Sequence, residues 1–310
     1  MINGEVQRLV GMFFLLLALG WVLRRAGVLK ESNIGWLSGF IVAVPLPALV
    51  VGALIRAHFS PALFWVWLLG LLITGAGMLL AWVLGRLMLR RAGARGVLIV
   101  SGTLGNTGFL GTPLVAALYP DQPGTVAAAV TFDMGVTALL VNTVGIAVLA
   151  RYGKAGGGFE WRENLRRLVR MPVFWATLIG YGLMLARWQP PALVLFTLER
   201  LGQITVPLAL LTIGAMVRWR MLGARWRVLM LVVAFKCMLM PLLVWGVLHV
   251  VALPDFAARA MLLQSAMPSV MVSAVYASLY QTEPELATAA VVVSAVVALA
   301  CLPLWLRWFL

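Results

Sequence analysis

The chain reads as an all-α integral membrane protein: ten transmembrane helices in two inverted five-helix repeats, with helices four and nine broken and crossing each other. Three observations lead there. The 310 residues are 63% hydrophobic and 11% charged with a mean hydropathy of +1.01, whereas soluble domains are about 45–50% apolar. A sequence block recurs 162 residues further on. Helix breakers stand at mid-span in two segments that the same offset relates.

Ten apolar segments are long enough for the roughly 20 residues that a helix needs to cross a bilayer, and the alternating ten-residue pattern of a membrane barrel is absent. They run over 5–23, 34–55, 62–85, 97–119, 124–150, 172–187, 201–217, 227–251, 257–280 and 285–307. The first is not a cleaved signal, because Arg24 and Arg25 follow the apolar run instead of preceding it and no small-residue cleavage site appears. A polar linker, 151–170, carries Gly156-Gly157-Gly158 and six basic residues and separates five spans from five. The domains are therefore 1–150, the linker 151–170, and 171–310.

The net charge of +14 is a matter of topology, so no nucleic-acid partner is expected. One side of the predicted membrane carries seventeen Lys and Arg, including Arg86, Arg95, Arg151 and the 218–227 cluster; the other carries six. That asymmetry places the linker in the cytoplasm and both termini outside the inner (cell) membrane.

The repeat sets Val44-Pro45-Leu46 through Gly52-Ala53 to Arg56 against Val206-Pro207-Leu208 through Gly214-Ala215 to Arg218, seven identities in thirteen. Each half has an odd number of spans, so Arg56 and Arg218 fall on opposite faces. That is the arrangement of inverted-repeat transporters. In span four, Gly105-Asn106-Thr107-Gly108 interrupts an apolar run. Glycine is costly within a helix, Asn and Thr side chains compete for the main chain, and Pro113 lacks a donor one turn later. The offset carries Gly105-Asn106 onto Met267-Pro268, a second breaker where the symmetry asks for one. Freed backbone groups at membrane depth are tolerated only beside protein, water or a ligand, which makes the two breaks a binding-site candidate.

Two ionisable residues, Asp133 and Lys236, lie about ten residues into spans five and eight. A charge there costs several kcal/mol, so such residues face protein or water; they serve coupling or charge balance, or form a structural ion pair with each other. Cys237 and Cys301 read as buried apolar thiols and His58 and His249 lack partners, so no metal site is expected. Hydrolase motifs, a phosphate-binding glycine loop and paired histidines are absent, and no cofactor or catalytic residue is assigned.

At these residues the sequence resembles the auxin efflux carrier family, which includes bacterial organic-acid permeases and plant auxin exporters. The likeness runs the full length. It rests on Ala43-Val44-Pro45-Leu46, on Leu104-Gly105-Asn106-Thr107 through Gly111-Thr112-Pro113-Leu114 to Leu118-Tyr119, and on Gln264-Ser265-Ala266-Met267-Pro268 with Ala287-Thr288-Ala289-Ala290. The resemblance implies a fold similar to sodium/bile-acid symporters. Spans 1, 2, 6 and 7 would form a scaffold that dimerises, and spans 3–5 and 8–10 a mobile, elevator-like transport domain. The plant carriers place a proline at the first break, where this chain has Gly105, and their long cytoplasmic loop is reduced here to the linker.

The expected site follows. Half-helix N-termini at a crossing stabilise an anion such as a carboxylate without a basic side chain. Gly105 opens the first break and Pro268 the second; Asn106, Thr107, Gln264 and Ser265 supply neutral donors and acceptors, and Val44 and Pro45 an apolar wall. Lys236 would supply positive charge where relatives of this fold bind sodium, and Asp133 would carry a proton or shape the pocket. The expected activity is secondary transport of small organic anions. A sodium-coupled symporter, an intramembrane enzyme and a sensor without flux are the alternatives.

Overall fold

The computed structural model describes residues 2–153, 162, 166, 169–216 and 226–309; most of the linker and the 218–225 part of the basic cluster lie outside them. Every regular element among these residues is helical. The chain opens with α1 (Ile2–Arg25). Next come α2 (Glu31–Ala43) and α3 (Pro45–Arg56), which meet at a kink where Val44 takes φ −128° and ψ −69° because the following proline disfavours a helical residue before it. The long helix α4 (Ala62–Met88) precedes α5 (Ala92–Ser101), an irregular stretch, a π-helical turn over Thr107–Gly111 and α6 (Thr112–Leu118).

Helix α7 (Pro123–Phe132) continues through π-helical turns at Asp133–Ala138 and Val141–Gly145 into α8 (Ile146–Tyr152). Beyond the linker lie α9 (Pro172–Ala186), then α10 (Ala192–Gln203) and α11 (Thr205–Met216), which meet at Ile204. Next, α12 (Trp226–Ala234) passes through a π-helical turn at Phe235–Leu239 into α13 (Met240–Val250). The chain ends with α14 (Asp255–Ala266), α15 (Val272–Leu279) and α16 (Pro284–Phe309).

Six helical stretches among the described residues are long and apolar enough to cross a membrane: Asn33–Arg56, Ala62–Met88, Pro123–Tyr152, Ala192–Met216, Trp226–Val250 and Pro284–Arg307. The segments expected as spans four and nine are each divided into two short helices. One boundary differs clearly from the sequence reading: the seventh segment begins at Ala192, not near 201. Glu199 and Arg200, outside the predicted span, sit within α10, where Glu199 pairs with Arg56 and Arg200 lies over the Phe196 ring.

Helix α1 packs along α11, and α3 packs against α9 and α10. Separately, α14 packs on α7, α5 on α4 and α8, and α15 on α16. The α1–α11 contact is close because both helices present glycine at the seam. A Cβ on Gly20 would meet the Leu211 carbonyl oxygen, and one on Gly214 the Leu17 carbonyl oxygen. Small residues bring helix backbones together in this way inside a membrane, where helix association draws on packing and hydrogen bonds. Arg24 fastens one end of the seam by donating from Nη1 to the Ala215 carbonyl at 2.7 Å, a cation on the last turn of α11.

Gly214→Ala should therefore force α1 and α11 apart and cost about 1–3 kcal/mol, as other overpacked contacts do. A thermal unfolding scan in detergent checks it. Gly182→Ala is the control, since a Cβ there meets nothing within 4 Å, and its transition should stay at the wild-type temperature.

Candidate functional site

Between α5 and the turn at Thr107 the chain leaves helical geometry over residues 102–106, and between α14 and α15 it does so over 267–271. The two irregular stretches meet. Gly105 and Ser269 face each other as a short antiparallel bridge, in which Asn106 N donates to the Pro268 carbonyl at 2.7 Å and Val270 N donates to the Leu104 carbonyl at 2.9 Å. Each break thus satisfies part of the backbone that the other has exposed. Serines add two more backbone contacts, Ser269 N donating to Ser294 Oγ at 2.9 Å and Ser269 Oγ to the Ser101 carbonyl at 2.6 Å, and Ser101 Oγ donates to Ser273 Oγ at 3.0 Å.

Each predicted ionisable residue sits at one end of a half-helix. Asp133 is 6% exposed, accepts a hydrogen bond from Thr107 Oγ1 at 2.6 Å, and lies against Gly108, the second residue of the half-helix that starts at Thr107. A carboxylate there faces unpaired N–H groups and the positive end of the peptide dipoles. Lys236 is 1% exposed and donates from Nζ to the Ser265 carbonyl at 2.5 Å, in the last turn of α14, where peptide dipoles end negative. The two are not paired with each other, so the ion pair considered from the sequence does not form; ion pairs among the described residues include Arg56–Glu199, Arg91–Glu283 and Arg259–Asp255. Both sit in π-helical turns, which the sequence pattern did not reveal. Such a turn leaves a carbonyl without its regular partner, and at one of them Trp67 Nε1 donates to the Gly135 carbonyl at 3.1 Å.

A cavity of about 420 Å³ adjoins the crossing. Gly105, Asn106, Thr107, Gly108, Asp133 and Asn142 form its polar side; Val42, Leu46, Met134 and Met271 form part of its apolar side. It extends to Ile34, Met171 and Met216, in the first turn of α2, just before α9 and at the end of α11. Asn106 is 4% exposed, and its Nδ2 is buried without a partner. A buried amide donor left empty costs about 1–3 kcal/mol, which a ligand acceptor would recover.

The residues singled out from sequence divide into three groups. Gly105, Asn106, Thr107 and Asp133 share the cavity. Pro268 lends its carbonyl to the bridge, while Gln264 and Ser265 face elsewhere: Gln264 Nε2 donates to Thr112 Oγ1 at 3.0 Å and the Ala129 carbonyl at 2.9 Å, and Ser265 Oγ donates to the Leu262 carbonyl. Val44 and Pro45 form the α2–α3 kink and do not line the cavity, although Val42 and Leu46 beside them do. Residues missed from the sequence include Asn142, whose Oδ1 accepts from the Tyr276 hydroxyl at 2.8 Å, and Ser269 and Ser294 at the crossing. Polar residues at mid-span were the available signal for them. Among the described residues no cluster of His, Cys, Asp or Glu could hold a metal ion.

A family model described as membrane transport protein matches residues 7–156 and 161–306. An uncharacterized transporter of Methanothermobacter thermautotrophicus is 29% identical over 308 residues, covering 97% of each chain. A second uncharacterized transporter, from Methanocaldococcus jannaschii, is 24% identical over 310 residues and covers 96% of each.

Thr107→Val keeps the shape of the side chain and leaves the Asp133 carboxyl without its hydroxyl donor. It should lower stability by about 1–3 kcal/mol, and Thr107→Ser should restore most of the loss. Unfolding transitions of the two purified variants provide the comparison.

Proposed function

Since the chain belongs to the membrane transport protein family, and so is a multi-pass membrane transporter and not an enzyme, we propose that it is a secondary carrier of small organic anions. The observation that carries this reading is the unpartnered Asn106 amide in the cavity wall, immediately before the half-helix whose first residues, Thr107 and Gly108, line the same cavity. A carboxylate accepts from both, and the dipole end stabilises its charge at membrane depth. Asn142 and the methionines would complete a pocket that is polar at one end and apolar at the other.

In this reading the ten expected spans form two inverted repeats, and the two linked breaks are their mirror-related centres. Helices α1–α3 and α9–α11 are the scaffold, and the remaining helices move against it as an elevator. Ile41, Phe109 and Ala209, with Leu37, Val42 and Met271 around them, form an apolar seam between the two groups, which would slide once the Thr131–Tyr181 hydroxyl pair elsewhere between them parts. The cavity reaches Ile34, Met171 and Met216 at the end assigned to the cytoplasm, which supports an inward-facing form with both termini outside the inner membrane. A second copy would meet the scaffold through its exposed apolar side, where Leu178, Ile179, Leu193 and Phe196 stand.

Asp133 gives the coupling. A substrate carboxylate beside Asn106 would share one half-helix terminus with the Asp133 carboxylate, and two like charges so close in a dry pocket repel unless a proton enters with the substrate. Lys236 stands where a bound cation would be stabilised, at the C-terminal end of α14, which favours proton coupling over sodium coupling.

Uptake of organic acids into proteoliposomes tests the reading. Transport should be sodium-independent and should rise as pH falls, and Asp133→Asn should flatten that pH dependence. Asn106→Leu should weaken anion binding about tenfold or more while leaving the fold intact, since the Asn106 Nδ2 has no protein partner to lose. Sodium-dependent uptake, or an Asn106→Leu protein with wild-type affinity, would overturn it, and normal transport by folded Lys236→Ala and Asp133→Asn variants would remove both charge assignments.

A further inference from the structure

A second cavity, sharing no lining residue with the first, lies between α4, α5 and α8 at their arginine-rich ends and measures about 740 Å³. Its upper rim is Arg86, Arg95 and Arg151, with Trp82 and Tyr152 between them; below lie Leu79 and other apolar residues. No acidic residue lines it. The nearby Glu283 sits at the same end of α5 but outside the lining, where it packs on Gly93 and pairs with Arg91 at 3.9 Å.

The arginines are held with donors to spare. The Arg86 guanidinium lies 4.5 Å from the centre of the Trp82 ring, which fixes its plane and leaves its N–H edge open. Arg95 spends Nε on the Leu89 carbonyl at 2.8 Å and keeps its two terminal nitrogens. Arg151 stands exposed on the last turn of α8. Below this rim the neighbouring surface is apolar and exposed, with Leu79, Val83 and Val144 facing outward.

An occupant of this groove needs a compact anionic group at the arginines and a long apolar portion running down α4 toward the bilayer centre. We propose that the groove is a binding site for an anionic phospholipid: its phosphodiester is held by Arg86 and Arg151, and its acyl chains lie along Leu79 and Val144. Basic pockets between transmembrane helices select acidic headgroups in this way, and guanidinium groups bind phosphate oxygens in pairs. Bound there, the lipid would tie α4 to α8 within the helix group assigned above to movement, although the site itself does not depend on that assignment.

The test uses the purified full chain with equal amounts of phosphatidylglycerol and phosphatidylcholine of the same acyl chains, and counts retained lipids by native mass spectrometry. The wild-type protein should retain phosphatidylglycerol about tenfold over phosphatidylcholine. Arg86→Gln/Arg151→Gln should bring that ratio near one, whereas Arg90→Gln, an arginine outside the groove, should leave it unchanged. Equal retention by the wild type overturns the proposal, as does a folded double variant that keeps the preference; if the double variant does not fold, the single variants Arg86→Gln and Arg151→Gln are read in its place. Inorganic phosphate forms the separate arm. If phosphate alone raises the unfolding temperature as far as phosphatidylglycerol does, and Arg86→Gln/Arg151→Gln or the single variants remove that rise, the site belongs to a free anion and the lipid assignment falls.

Discussion

Backbone polar groups that leave a helix inside a bilayer have no water to turn to, and this chain breaks two helices at mid-course. The rest of the structure depends on how those groups are satisfied. Each break supplies what the other lacks: the Asn106 amide meets the Pro268 carbonyl, and the Val270 amide meets the Leu104 carbonyl. Neither half-helix pair could occupy this position alone, because an unsatisfied amide or carbonyl in hydrocarbon costs several kcal/mol. The small side chains around the crossing are a consequence. Ser269 and Ser294 carry hydroxyls on short stems that reach the backbone where the helices approach, and Gly105 sits where a Cβ would lie 3.2 Å from the Gln264 carbonyl oxygen.

The same constraint accounts for the buried charges. Interrupting a helix creates new termini, and each new terminus concentrates partial charge where the dielectric is low. At the start of the half-helix beginning at Thr107 the compensating group is Asp133; at the end of α14 it is Lys236. The backbone at the two breaks is alike, yet the charges differ in sign because they answer opposite helix ends. This is why the pair need not form an ion pair: each is neutralised in part by peptide groups.

Much of this was legible in the sequence for a physical reason. Span length, charge asymmetry and the placement of Gly105-Asn106 and Pro268 follow from rules that act on single residues: apolar burial, charge exclusion and loss of helix propensity. The breaks accordingly lie where they were expected. Direction of side chains was not legible. Gln264 and Asn106 carry the same amide chemistry beside equivalent breaks, yet Gln264 spends its NH2 on Thr112 and Ala129 and keeps Oε1 unpartnered, while Asn106 keeps a free donor, an outcome of three-dimensional packing that no spacing rule encodes. The π-helical turns at Asp133 and Lys236 were hidden likewise, since an added residue per turn leaves the apolar run unchanged. At α10 the single-residue rule misled, because Glu199 and Arg200 lie in a helix once Arg56 and the Phe196 ring accompany them.

Those π-helical turns also decide which side chains reach the cavity. One extra residue in a turn rotates every later side chain by roughly 100°, the angle per residue of a helix with 3.6 residues per turn. In the helix that begins with α7, the turn starting at Asp133 separates a buried run, Val126–Val130, from the segment carrying Thr137, Val141 and Asn142. The first part packs in the core, and the second turns polar side chains into the cavity. An uninterrupted α-helix would hold one face throughout its length and could not do both. The carboxyl of Asp133 marks the changeover, so the residue that would meet a substrate anion also stands where the helix turns from structural packing to the cavity wall.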